Sequence, residues 1–176
     1  IWVMDHDGDD KEQLTKIATG ASSPVWSPDG KWIALTSEVY PECTNDGCNR
    51  HKEEQAEKSK VKAHLTDRLL YRHWVEWRDV KRTHVFIIGS NGGEARDLTP
   101  GDFDAPPYAV AGDVDYSFSP DSKELAYLRN PDKVEAISTN SDIYIVPTAG
   151  GAAKNITVQN RGYEDSPTYT EDAKHI

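Results

Sequence analysis

Short apolar runs alternate along the chain with clusters of Gly, Pro, Asp and Ser, a pattern that predicts antiparallel strands joined by tight turns. In "SPVWSPDGKWIALTS" (residues 23–37), Pro24, Val25 and Trp26 lead into Ser27-Pro28-Asp29-Gly30, and Lys31 opens an aromatic and β-branched run through Thr36. Proline at the second corner of a type I turn, aspartate beside it and glycine for a left-handed residue make hairpin chemistry. The pattern returns at "VDYSFSPDSKELAYLRN" (residues 114–130), with Ser122 where Gly30 stood, a substitution costing about 1 kcal/mol if the left-handed conformation is kept. A fainter third copy, "DSPTYTEDAKHI" (residues 165–176), places Tyr169 where Trp26 and Phe118 stand.

A second unit also recurs, at residues 1–15, 85–99 and 143–157. A short apolar strand meets a Gly- or Asp-rich turn, then a brief strand ends in Leu-Thr or Ile-Thr. Each unit is followed by a loop and a Ser-Pro-Asp hairpin, so the repeating object is a four-stranded antiparallel sheet. Such a unit, recurring at roughly 40–50 residues, is the mark of a propeller blade. A β-sandwich also has many short strands but does not require the same hairpin with the same turn residues to recur. The expected fold is all-β: a partial β-propeller of about three four-stranded antiparallel blades, with repeats at roughly 1–39, 67–130 and 143–176. Both ends cut through this pattern, so the chain is expected to be a piece of a longer protein.

The spacing between hairpins is uneven. Trp26 and Phe118 are far further apart than Phe118 and Tyr169, and the surplus falls at residues 40–66. The centre of this insertion, "NRHKEEQAEKSKVKAHLT", has strong helix formers, no Gly or Pro, and Glu54 and Lys58 at favourable i,i+4 spacing. A charged, partly helical excursion over about 41–66 is expected. After it, Leu69, Tyr71, His73 and Val75 alternate with Leu70, Arg72, Trp74 and Glu76 in a strand-like pattern, with Trp74 and Trp77 expected to pack between adjacent blades. Arg72, His73 and Glu76 form either a structural ion-pair group or part of a ligand-facing surface.

A net charge of −10 argues against nucleic acid as a partner, and no apolar run approaches the roughly 20 residues of a membrane span. Cys43 and Cys48, the only cysteines, flank Thr44-Asn45-Asp46-Gly47. They suggest a local disulfide and, if it forms, an oxidising compartment. The alternatives are a metal site with His51 and the more distant His64, which fits no strong zinc spacing, or two unpaired thiols. The acidic run at residues 5–10 departs from a calcium loop at Asp10 and Lys16 and aligns with the hairpin turn at Asn91. Asn155-Ile156-Thr157 matches a glycosylation sequon. No Gly-x-Ser-x-Gly elbow and no phosphate-cradling loop occurs, so neither catalytic residues nor a cofactor or metal is expected in this segment.

Several stretches together, "WSPDGKWIALTSEVY", the Cys-flanked insertion, "RLLYRHWVEWRD" and "FSPDSKELAYLRN", resemble the N-terminal propeller of prolyl-oligopeptidase-family serine peptidases. The nearest branch is that of the bacterial dipeptidyl and acylaminoacyl peptidases; the Ser-Pro-Asp-Gly hairpins alone are shared with TolB-like and WD40-like propellers. The resemblance implies a propeller capping a C-terminal α/β-hydrolase domain, its partner in the parent protein, which would carry the catalytic Ser, Asp and His. The propeller would gate access and help select short peptide substrates, in a protein exported to the periplasm or secreted. Glu53 and Glu54 superficially match the amine-binding glutamates of some members, but the surrounding residues do not, so they are expected to face solvent. The alternative is a TolB-like periplasmic propeller acting as a protein-binding scaffold with no hydrolase domain.

Overall fold

The computed structural model describes residues 1–73, 75–108 and 114–176, with the backbone alone at His73 and Glu76. The fold is mostly strands in antiparallel sheets, with one α-helix among the described residues. Strands β1 (Trp2–Val3) and β2 (Glu12–Gln13) pair around the acidic turn, which is closed by Gly8 N–H to the Asp5 carbonyl at 2.9 Å. The first large sheet contains β3 (Ser22–Trp26) and β4 (Trp32–Val39). An excursion follows, with helix α1 (Asp46–Lys58) and a two-residue ribbon of β5 (Arg72–His73) and β6 (Glu76–Trp77). Strands β7 (Arg82–Gly89) and β8 (Arg96–Asp97) then complete that sheet in the order β3-β4-β7-β8. The second sheet runs β9 (Tyr116–Phe118), β10 (Glu124–Arg129), β11 (Asp142–Pro147) and β12 (Lys154–Asn155), neighbours in space as in sequence.

The sheets group the repeats in the opposite phase from the boundaries 1–39, 67–130 and 143–176. Each Ser-Pro-Asp hairpin joins the Leu-Thr or Ile-Thr unit that follows it, not the one before. The reason is the excursion: it separates β4 from β7 in sequence, but the two pair continuously from Trp32↔Gly89 to Val39↔Arg82.

The turn chemistry is the same three times. Ser27 Oγ donates to Asp29 Oδ1 (2.7 Å), and Lys31 N–H reaches the same carboxylate (3.1 Å). Ser119 and Asp121 repeat this at 2.8 and 3.2 Å, and Thr170 and Asp172 at 2.7 and 3.1 Å. The hydroxyl and the backbone N–H hold the Asp29 and Asp121 carboxyls down at about 2. The left-handed position is Gly30 (φ 69°), Ser122 (φ 61°) and Ala173 (φ 56°), so the two later copies keep the conformation without the glycine. The second recurrent unit has its own bond. Thr15, Thr99 and Thr157 each accept, through Oγ1, the backbone nitrogen fourteen residues earlier: Ile1 (2.6 Å), Val85 (2.9 Å) and Ile143 (2.9 Å). The threonine hydroxyl thereby ties the end of the last strand to the start of the preceding one.

The layers stack face to face. Ala34, Val85 and Ile87 of the first sheet pack with Tyr116, Leu125 and Tyr127 of the second. The other face of the first sheet, Ile33, Leu35 and Ile88, packs with Leu14, Ile1 and Val3. The central strands of the first sheet are therefore covered on both faces, which is why residues 32–35 of β4 and 85–88 of β7 read as continuous apolar runs instead of alternations. A two-layer sandwich would leave one face of each sheet polar and wet. Equivalent turns lie together: Asp29 N–H donates to Ser122 Oγ at 3.1 Å. A bulge in β3 aims the Ser23 carbonyl at the Tyr116 hydroxyl, whose titration burial pushes up. The far face of the second sheet meets the C-terminal segment, with Ser117 Oγ donating to the Pro167 carbonyl at 2.6 Å.

Candidate functional site

The excursion between β4 and β7 builds a cleft of about 440 Å³ at one end of the first sheet. Its walls come from Pro41 and Glu42 after β4, residues 65–70, the approach to β7, and the loop after β8. That loop folds back on β7: Ala105 N–H bonds the Thr83 carbonyl (2.8 Å) and Thr83 N–H bonds Asp104 Oδ1 (2.9 Å). Asp102 and Asp104 are thus presented to three arginines. Arg68 straddles Asp102 with Nη1 and Nη2 at 3.3 and 3.0 Å, and Arg82 Nε reaches it at 3.0 Å. Arg78 pairs with the buried Asp104. Burial alone would raise the Asp102 carboxyl, but the Arg68 hydrogen bonds and the Arg82 charge outweigh it and hold it below the usual range. The same contact raises Arg68, whereas burial lowers Arg78, which stays a cation at any ordinary pH.

Helix α1 buttresses this cleft. Asn45 caps it by accepting Cys48 N–H at 3.0 Å, and Cys43 and Cys48 are joined as a disulfide with Cα atoms 5.4 Å apart. Asn49 Oδ1 accepts Tyr40 N–H (3.0 Å), and Asp46 Oδ1 accepts Ala18 N–H (2.7 Å). Glu53 is half-buried and pairs with Lys81 at 3.2 Å; it does not face solvent as expected, because the helix leans on the approach to β7. Glu54 pairs with Lys58 at 3.4 Å along the exposed side. Burial, followed by the nearby Glu53, pushes the Tyr40 phenol up to about 12.

Of the polar cluster read from sequence, Arg72 lies on β5 with its guanidinium over the Trp77 ring at 5.2 Å. His73 and Glu76 pair through their backbones across the ribbon; their side chains, and all of Trp74, lie outside the described residues. Trp77 does not pack between sheets. It is 45% exposed on the excursion, stacked on His64 at 4.2 Å, because among the described residues β5 and β6 pair with each other and join neither large sheet. The cleft residues Arg68, Arg78, Arg82 and Asp102, with the buried Asp104 that pairs with Arg78, were missed by sequence reasoning. The arginine density of residues 68–82 was the available signal.

His84 bonds Asp97 Oδ2 at 2.7 Å, which imitates two members of a triad, but its Nε2 faces the Gly101 carbonyl at 2.9 Å and the ring is buried. That pair anchors the loop carrying Asp102 instead of activating a hydroxyl. No group of three or more His, Cys, Asp or Glu able to hold a metal occurs among the described residues, and His51 bonds Gln55. The sequon side chains are already engaged: Asn155 Nδ2 donates to Asp142 Oδ2, and Thr157 takes the Ile143 N–H. No helix among the described residues is long and apolar enough to cross a membrane.

No family model matches the chain. It is 30% identical over 176 residues to dipeptidyl-peptidase 5 of Porphyromonas endodontalis, covering 97% of this chain and 24% of that protein. It is 31% identical over 163 residues to dipeptidyl-peptidase 5 of Porphyromonas gingivalis, covering 89% and 23%. The uncharacterized peptidase YuxL of Bacillus subtilis is 26% identical over 149 residues, 83% of this chain and 20% of that one. A solved structure titled as a TolB from Agrobacterium tumefaciens superposes with a TM-score of 0.46 at 13% identity, over 88% of this chain and 39% of that chain. The chain is thus similar, along nearly all of its length, to proteins named as peptidases, and it spans about a quarter of the length of the first two.

Proposed function

We propose that this chain is a propeller segment of an exported serine exopeptidase, one that gates access and helps select short peptides without breaking bonds itself. The two complete sheets are read as neighbouring blades, and β1–β2 and the C-terminal hairpin as parts of the next blades on either side. The carrying observation is the similarity to dipeptidyl peptidases over 97% of the chain and only 24% of the relative, which leaves room for a hydrolase domain bearing the nucleophile. The disulfide fits an exported protein. The cleft supports the selecting role: it is of ligand size, mixes apolar walls with convergent charges, and projects from a rigid sheet.

The test compares the full-length parent protein with residues 1–176 alone, using dipeptidyl chromogenic substrates. The parent should turn them over and lose activity to a serine-directed inhibitor; the segment should do neither. A parent chain with no turnover and no inhibitor labelling would favour a TolB-like scaffold, and inhibitor-sensitive turnover by the segment would end the non-catalytic reading.

A further inference from the structure

We propose that the Cys43–Cys48 disulfide is a redox-labile latch that holds α1 against the cleft and is opened by a reduced dithiol. The inference is independent of the peptidase reading.

It begins with what α1 lacks. Across thirteen residues its only buried side chain is Asn49, a polar amide at 5% exposure. Helices in proteins are held mainly by an apolar face, and this one presents none. What remains is the Asn49 and Asp46 hydrogen bonds, a 3.5 Å bond from Arg50 Nη2 to the Lys16 carbonyl, the ion pairs of Lys52 with Glu42 and of Glu53 with Lys81, the Lys52 ammonium over the Tyr40 ring, and the covalent bond. Partly exposed ion pairs contribute little. The disulfide spans the N-cap itself, so it fixes the turn from which the helix starts.

The latch also touches the cleft. Pro41 and Glu42 form part of its wall and immediately precede Cys43, while Lys52 lies 5.2 Å over the Tyr40 ring and Lys81 abuts the Val80 and Arg82 side. Both cysteines are half-buried and neither belongs to the core. The chemistry balances as an exchange. One thiolate of the dithiol attacks a cystine sulfur and the S–S bond breaks; its second thiolate then resolves the mixed disulfide. The dithiol leaves oxidised to its own disulfide, and Cys43 and Cys48 accept its two electrons and two protons.

The experiment is hydrogen exchange by mass spectrometry on the full-length chain, before and after dithiothreitol, with thiols counted in parallel. Reduction should make residues 47–58 exchange about tenfold faster or more, with a smaller rise at residues 40–42 and 78–82 and none in β7 or β10. A Cys43→Ser/Cys48→Ser variant should show the same pattern without dithiothreitol and no further response to it. Unchanged exchange in α1 once both thiols titrate would overturn the proposal. So would failure of the thiols to appear under native conditions, or acceleration throughout the sheets, which would make the bond a global staple instead of a local latch.

Discussion

The two four-stranded sheets follow one plan but differ at one crossing. From its second strand to its third, the second sheet uses residues 130–141 and the first uses residues 40–81. Turns, threonine ties and register are shared, so the longer crossing is not needed to make a sheet. The excursion in turn shares little of the core: Leu65 is 77% exposed and Val75 81%, whereas Leu125 and Leu35 are fully buried. Stability resides in the repeated sheets, and the crossing that is not repeated adds Arg68 and Arg78, which meet the acidic loop after β8. That division is what a binding or gating surface on a rigid scaffold requires.

The sharpest way to break this comparison is to truncate one side chain on each side of it. Leu125→Ala should destabilise the protein by about 2–5 kcal/mol in urea titration, and Val75→Ala by less than about 0.5. Equal effects would mean the excursion is core after all. Next, Thr99→Val and Thr157→Val should each cost about 1–3 kcal/mol by leaving the Val85 or Ile143 N–H without its partner. Similar values would establish that the two sheets are equivalent at this position. Ala173→Gly should stabilise by up to about 1 kcal/mol, and Ser122→Gly by less, because only Ser122 also accepts Asp29 N–H across the sheets.

The smallest effect concerns acid. Asp29 and Asp121 titrate lower folded than unfolded, so their contribution is present above about pH 4 and fades as pH falls towards about 2. Asn at both positions should flatten the acid limb of a stability profile slightly. An unchanged acid limb would show that these turns contribute nothing through charge.

Features built from neighbours in sequence were legible. Ser27, Asp29 and Lys31 satisfy one another within a few residues, so the hairpin could be read from its letters, as could the α1 segment from its composition. The phase of the repeats was not, because the excursion hides the pairing of Val39 with Arg82. The cleft was not either: Arg68 meets Asp102 across 34 positions, and their meeting depends on a loop folded back by Thr83 and His84. Trp77 misled for a related reason. A bulky aromatic in an alternating run fits an inter-sheet core, but only tertiary context shows that β5 and β6 pair with each other and join no sheet.

The pairing of Val39 with Arg82 has a wider consequence. The excursion leaves and re-enters the sheet through two strand ends that are already neighbours, about 5 Å apart. Such a gap can be bridged by a short link or a long one with little strain on the scaffold. It works as a socket: whatever is plugged there is presented at the same end of the sheet, so natural variation or deliberate grafting can change what is displayed without redesigning the fold beneath.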